Sequence, residues 1–167
     1  MKKNQNKILI VDDEPEIRGL MQEILKEEGY LTFAVKNAQE AQKSIADNPP
    51  DLVYLDIWMP EKDGVTLLKE WSESNQLNFP VIMISGHATI ETAVEATRLG
   101  AFDFIEKPLS IEKLIASAKK ALGSSKKGSG EDIALILKNN CSVYKDVFLT
   151  LDTKADSEQI LFLNGEA

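Results

Sequence analysis

The sequence predicts an α/β fold: a doubly wound, five-stranded parallel sheet in strand order 2-1-3-4-5, flavodoxin-like, followed by a short C-terminal tail. Two observations carry that prediction. From residue 7 to about residue 122, short apolar runs alternate with helical-period stretches five times. Alternating βα units of this kind close into layers through right-handed crossovers. Three of the runs are continuous, Ile8-Leu9-Ile10-Val11, Leu52-Val53-Tyr54-Leu55 and Val81-Ile82-Met83-Ile84, as strands buried on both faces of a parallel sheet must be.

The remaining runs are weaker. Leu31, Phe33 and Val35 alternate with other residues, which predicts a half-buried edge strand, and Phe102, Phe104 and Ile105 form a short fifth strand. The stretches between carry helix marks. Pro15 stands in a first turn behind Asp13 and Glu14, with Ile17, Leu20, Met21, Ile24 and Leu25 at helical spacing and Gly29 as the stop. Asn37 caps a second helix through Ala38, Ala41 and Ile45, ending before Pro49-Pro50. Asp63-Gly64 opens a third, with Leu67, Leu68 and Trp71 on one side. Thr89 caps a fourth, ended by Gly100, and Ser110 a fifth, ended by Gly123.

The chain has 167 residues, 43% hydrophobic and 28% charged, enough to build a buried core. No apolar run reaches the roughly 18 residues of a membrane span. The basic start, Met1 to Lys7, is followed by an apolar stretch too short for a signal-peptide core, which predicts a soluble, cytoplasmic protein. Net charge is −8, which argues against binding nucleic acid through phosphate neutralisation. Cys141 is the only cysteine and His87 the only histidine. One thiol excludes an internal disulfide and zinc-finger spacing, and nothing in the sequence pairs it with a histidine for nucleophilic catalysis. His87 reads as a surface or capping residue rather than a ligand.

Residues 1–122 therefore read as one domain. Residues 123–130, GSSKKGSG, read as a flexible polar linker. Residues 131–167 form a short acidic tail, three lysines against seven acids, net −4. Val143, Val147, Leu149 and Leu151, then Ile160 to Leu163, suggest a β-hairpin. So short a segment buries too little surface to be stable alone, so it is expected to dock, associate or stay partly disordered.

Ligands of open parallel sheets bind off the carboxyl ends of the strands, where strand order reverses. The residues at those ends are Asp12, Asp13 and Glu14 after the first strand, Asp56 after the third, Ser85 after the fourth and Lys107 just past the fifth. Carboxylates crowded into one pocket raise each other's pKa unless a cation neutralises them. An all-oxygen donor set without His or Cys selects a hard divalent ion, Mg²⁺. Acids, metal, lysine and hydroxyl together suit phosphoryl transfer, with Asp56 as the nucleophile, Lys107 as countercharge and Ser85 as a phosphate hydrogen-bond partner. Each residue alone has a plainer reading: a helix N-terminus for the acids, a turn for Asp56, an ordinary loop for Ser85-Gly86. Their coincidence at the strand ends outweighs those readings.

The pieces KILIVDDEPEIR, PDLVYLDIWMPEKDG and PVIMISGHATIETAVEATRLGAFDFIEKPLS resemble the receiver domain of two-component response regulators. The run SGHATIETAVEATRLGAFDFIEKP is most similar to nitrogen-regulator receivers of the NtrC and NtrX type. The resemblance implies that Asp56 accepts a phosphoryl group from a histidine kinase, in a switch that assists its own phosphorylation and dephosphorylation rather than in a conventional enzyme. It implies Asp13, Asp56 and the Trp58 backbone carbonyl as Mg²⁺ ligands, with Asp12 acting largely through water. Lys107 would pair with the phosphate and precede a cis proline. Ser85 and Phe104 would be the switch hydroxyl and switch aromatic, Phe104 rotating inward as Ser85 moves. The surface of the fourth helix, fifth strand and fifth helix would change, and family habit implies a homodimer through it.

Such regulators continue into an ATPase module and a helix-turn-helix domain. No GxxxxGK[ST] loop is present in this sequence, so the expectation is a stand-alone or shortened receiver, or one with an unrelated segment appended. Two rival functions fit the residues less well. A Mg²⁺-dependent phosphohydrolase would carry its nucleophile in a D-x-D pair after the first strand, whereas Asp12 and Asp13 are adjacent. A pseudo-receiver used only for interaction would lack one of the phosphorylation residues, and none is missing.

Overall fold

The computed structural model describes residues 5–123. The expectations for the linker and the tail lie outside the described residues. Five strands and five helices alternate: β1 (Lys7–Val11), α1 (Pro15–Glu27), β2 (Leu31–Val35), α2 (Ala38–Asp47), β3 (Leu52–Asp56), α3 (Gly64–Glu73), β4 (Val81–Ser85), α4 (Ile90–Arg98), β5 (Asp103–Glu106) and α5 (Ile111–Gly123). All strand pairs are parallel, in the order β2-β1-β3-β4-β5. The predicted order is the observed one.

Strand side chains alternate between two apolar layers, because successive residues of a strand point to opposite faces. Leu9, Val11, Val53, Leu55, Val81 and Met83 pack with Ala41 of α2, Leu67, Leu68 and Trp71 of α3, and Ala93 and Ala96 of α4. Ile8, Ile10, Leu52, Tyr54, Ile82 and Ile84 pack on the other side with Met21, Ile24 and Leu25 of α1 and Leu114, Ala118 and Ala121 of α5. β3 and β4 are buried at every position, as their continuous apolar runs require. β2 lies at the edge. Its first residue, Leu31, is left exposed, while Phe33 and Val35 pack against the α2–α4 layer.

The helix starts follow the capping chemistry of the sequence. The side chains of Asn37 and Asp63 accept from the N–H groups of Glu40 and Thr66, each at 2.8 Å, and Thr89 accepts from Thr92 N–H at 3.2 Å. α1 begins instead with Pro15 at its first position and no side-chain cap on Glu14. That leaves the Glu14 side chain free for the site described below. On the α1–α5 side, the buried Tyr54 hydroxyl lies 2.8 Å from both the Leu114 carbonyl and the Ser117 hydroxyl, tying β3 to α5.

Gly64 is required by a close approach. Its N–H donates to the Ile57 carbonyl at 2.8 Å, and a Cβ at this position would collide with the backbone carbonyl of Asp56. Because that neighbour is backbone at the end of a central strand, it has little room to move. Gly64→Ala should therefore cost about 1–3 kcal/mol, the range for forced overpacking. Urea unfolding of the variant against the wild type measures it; an unchanged midpoint would show that the loop relaxes freely.

Candidate functional site

The carboxyl ends of β1, β3, β4 and β5 sit side by side, so residues far apart in sequence face one another. Val11 pairs in register with Leu55, which sets Asp12 beside Asp56, and Ile84 pairs with Asp56. Ser85 ends β4, and its carbonyl accepts the Lys107 N–H at 2.8 Å, which fixes the start of the lysine's loop. The Lys107–Pro108 peptide bond is cis.

Four carboxylates converge at this edge. Asp12, Asp13, Glu14 and Asp56 each present an oxygen within 4.8 Å of the others'. Asp12 is fully buried and Asp56 nearly so, whereas Glu14 reaches solvent. Lys107 answers them with one ammonium group. Its Nζ lies 2.7 Å from Glu14 Oε1, 3.0 Å from Asp12 Oδ2 and 3.5 Å from Asp56 Oδ2. Asp12 is braced further: its Oδ1 accepts Glu14 N–H at 2.8 Å, and its backbone carbonyl accepts from Arg18 Nη1 at 2.7 Å. Its Oδ2 takes no well-formed hydrogen bond, because the lysine approaches it as an ion pair off the favourable angle.

Burial pushes the Asp56 carboxyl up to about 7, and the charge of Asp12 and then Asp13 pushes the same way. Lys107 and the Trp58 N–H oppose the shift without cancelling it. Asp12 is also raised, by burial first, against the pull of Glu14 N–H and Lys107. Burial alone would lower Lys107, but its bonds to Glu14 and Asp12 prevail and hold it above its ordinary value, fully cationic. The protein alone thus supplies too little positive charge for its acids. A buried carboxylate oxygen without a hydrogen bond and an all-oxygen donor set are what a hard divalent cation fits.

The other sequence candidates fall around this centre. Ser85 is buried, its Oγ accepting from His87 N–H at 3.2 Å. Trp58, on the loop after β3, is 58% exposed, and its indole N–H donates to the His87 carbonyl at 3.3 Å. His87 is exposed and stands outside the acidic cluster. Phe104 is 3% exposed and packs with the α2–α4 layer. An inward rotation from an exposed start is therefore not available to this conformer, which already has the ring inside. Two contacts have no mark in the sequence: Arg18 carries no signal beyond its helical position, and nothing singles out Glu14 among the acids as the lysine's nearest partner.

The fold that carries this site has counterparts in known proteins. Residues 8–119 match the family model of the response regulator receiver domain. The chain belongs to that family. Among curated relatives, it is 46% identical over 117 residues to the nitrogen assimilation regulatory protein NtrX of Azorhizobium caulinodans, covering 69% of this chain and 26% of that protein. It is 37% identical over 173 residues to a putative NtrX-like response regulator of Rickettsia felis, covering 98% of this chain and 36% of that one. The latter alignment continues past residue 123. The crystal structure of the NtrX receiver domain from Brucella abortus superposes with a TM-score of 0.66 at 48% identity, over 71% of this chain and 99% of that one. A CheY-like receiver from Methanospirillum hungatei gives 0.68 at 30% identity, over 72% of this chain and 95% of that one. The chain spans about a quarter to a third of the length of these curated relatives. It carries the receiver domain of a two-component response regulator.

The raised Asp56 makes metal-free stability depend on pH. The folded state holds this proton more tightly than the unfolded chain, whose carboxyl titrates near 3.8. The contribution is complete below that value and disappears as pH climbs through about 7. In chelator, the wild type should lose stability across that window. Asp56→Asn should flatten the loss and be about 2–4 kcal/mol more stable than the wild type near pH ~8. Urea unfolding at several pH values measures both, and equal slopes for the two proteins would refute the electrostatic account.

Proposed function

We propose that this receiver takes a phosphoryl group on Asp56 from the phosphohistidine of a sensor histidine kinase and that Mg²⁺ assists the transfer. The observation that carries the reading is the convergence of Asp12, Asp13 and Asp56 with Lys107 in one pocket at the strand ends. An Asp56 carboxylate oxygen attacks phosphorus, the phosphorus–nitrogen bond breaks, and the imidazole leaves with its electron pair. The product is an acyl phosphate. Asp13 and Asp56 with the Trp58 carbonyl would hold the ion, Asp12 acting largely through water. When bound, Mg²⁺ supplies positive charge that neutralises the acids and the transferred group.

The chain's own residues do the remaining work. Burial keeps Asp56 poorly solvated, so an oxygen that stays ionised is a better nucleophile than one in bulk water. Lys107 stands within ion-pair distance of Asp56 and provides charge compensation for the new phosphoryl oxygens. Ser85 offers a hydroxyl at the end of the neighbouring strand, and turning it so that its O–H donates to a phosphoryl oxygen, while its Oγ still accepts from His87 N–H, would pull on the β4–α4 loop. Phe104, one strand away and already inside, would fix the conformer in which that space is filled, so phosphorylation shifts a population. The readout surface is then α4, β5 and α5, through which a homodimer could form.

The relatives' names place nitrogen-regulator proteins among the likenesses. On that basis the chain reads as the cytoplasmic receiver of an NtrX-like regulator. No helix among the described residues is long and apolar enough to cross a membrane.

Incubation with a small acyl-phosphate donor and Mg²⁺ should label the wild type at Asp56. Asp56→Asn should lose the label, and wild-type labelling no better than this variant would end the proposal. Lys107→Ala should weaken binding of the phosphoryl mimic beryllofluoride roughly tenfold or more, about 1.4 kcal/mol. Calorimetric titration reads that loss; an affinity equal to wild type would remove Lys107 from its assigned role.

A further inference from the structure

Glu14 has no task in the phosphoryl-transfer scheme, yet it makes the closest contact to Lys107. The order of distances is Glu14 Oε1 at 2.7 Å, Asp12 Oδ2 at 3.0 Å and Asp56 Oδ2 at 3.5 Å. The ammonium group therefore leans toward the outermost acid and away from the acceptor. Backbone geometry makes that possible. Glu14 lies at the start of α1, its own N–H fixed on Asp12 Oδ1, and no capping duty occupies its side chain. The Lys107 side chain is 13% exposed, so its contact with Glu14 is only partly screened by water, although the Glu14 side chain itself is 57% exposed.

We propose that Glu14 is a positioning residue, a latch that holds the Lys107 ammonium away from Asp56 until a phosphoryl group there draws it across. The inference rests on Asp56 being the phosphoacceptor. A phosphoryl group brings new anionic oxygens to the acceptor side of the lysine, and one ammonium with three N–H donors cannot serve all the acids and the phosphate at short range. Loading Asp56 then loosens the Glu14–Lys107 pair. By linkage, whatever that pair contributes to the unloaded state is subtracted from the affinity for the loaded one. Glu14 would thereby set how readily the receiver is switched, acting through Lys107 rather than on the phosphoryl group.

The test uses the full chain with Mg²⁺ and beryllofluoride as the phosphoryl mimic. Glu14→Gln removes the charge at constant size. Glu14→Asp keeps the charge but shortens the arm by one carbon. Glu16→Gln, in the same first turn of α1, controls for loss of one negative charge nearby. Both Glu14 variants should bind beryllofluoride about three- to tenfold more tightly than the wild type, and Glu16→Gln within about 1.5-fold of it. A gain confined to Glu14→Gln would mean simple relief of repulsion, and weaker binding in either variant would mean that Glu14 assists loading; each overturns the latch. Metal-free unfolding supplies a second reading. Glu14→Gln should lower the midpoint when Lys107 is present and leave it unchanged or raise it in a Lys107→Met background, where only like charges face it, and an equal loss in both backgrounds also overturns it. A wild type that takes up no beryllofluoride would sink the phosphoacceptor reading itself. Normal wild-type binding without the Glu14 effects sinks only the latch.

Discussion

One lysine facing several carboxylates governs the architecture of this site. Asp12 and Asp56 are withdrawn from water at the ends of neighbouring strands, and two buried negative charges side by side are costly. Lys107 is the protein's internal answer. Its ammonium group touches Asp12, Glu14 and Asp56 at once, and it is kept cationic by doing so. The compensation is incomplete, since Asp56 still holds its proton up to about 7. That residual imbalance makes the pocket receptive to a divalent ion, and a site satisfied by its own residues would have no use for one.

The sheet makes the imbalance unavoidable. Parallel strands in the order β2-β1-β3-β4-β5 put the ends of β1 and β3 together at the point where the chain reverses its winding. Apolar packing on both faces of the sheet holds those strands in place. Gly64 shows how tightly the loop after β3 folds back, since only a residue without a side chain fits against the Asp56 carbonyl. An Asp56 side chain that could swing into water would lose both its raised pKa and its place beside Lys107.

Around the rigid centre lies a softer ring of contacts. Ser85 takes a bond from His87 N–H, the His87 carbonyl takes one from the Trp58 indole, and the Trp58 N–H returns to Asp56. The loops after β3 and β4 are thus joined through the exposed Trp58–His87 bond and the part-buried His87–Ser85 bond, each inexpensive to break. Loops joined by such contacts can take up a second arrangement at little cost in free energy. Across the sheet, Tyr54 ties β3 to α5 through Leu114 and Ser117. The strand carrying Asp56 is therefore linked directly to one helix of the proposed readout surface.

Much of this was legible in the residues. Apolar runs buried on both faces announced β1, β3 and β4, cap residues announced the starts of α2, α3 and α4, and the rule that ligands sit at carboxyl strand ends singled out Asp12, Asp56, Ser85 and Lys107. Those features are local or periodic, so backbone preference and hydrophobic pattern suffice to express them. Tertiary structure alone decided which acid Lys107 favours, a contact spanning 93 residues of chain. It also decided that Arg18 braces the Asp12 carbonyl, that Leu31 faces solvent and that Phe104 is already packed inside. Each of these depends on how far a flexible side chain reaches and what competes for it there, which no spacing along the sequence encodes.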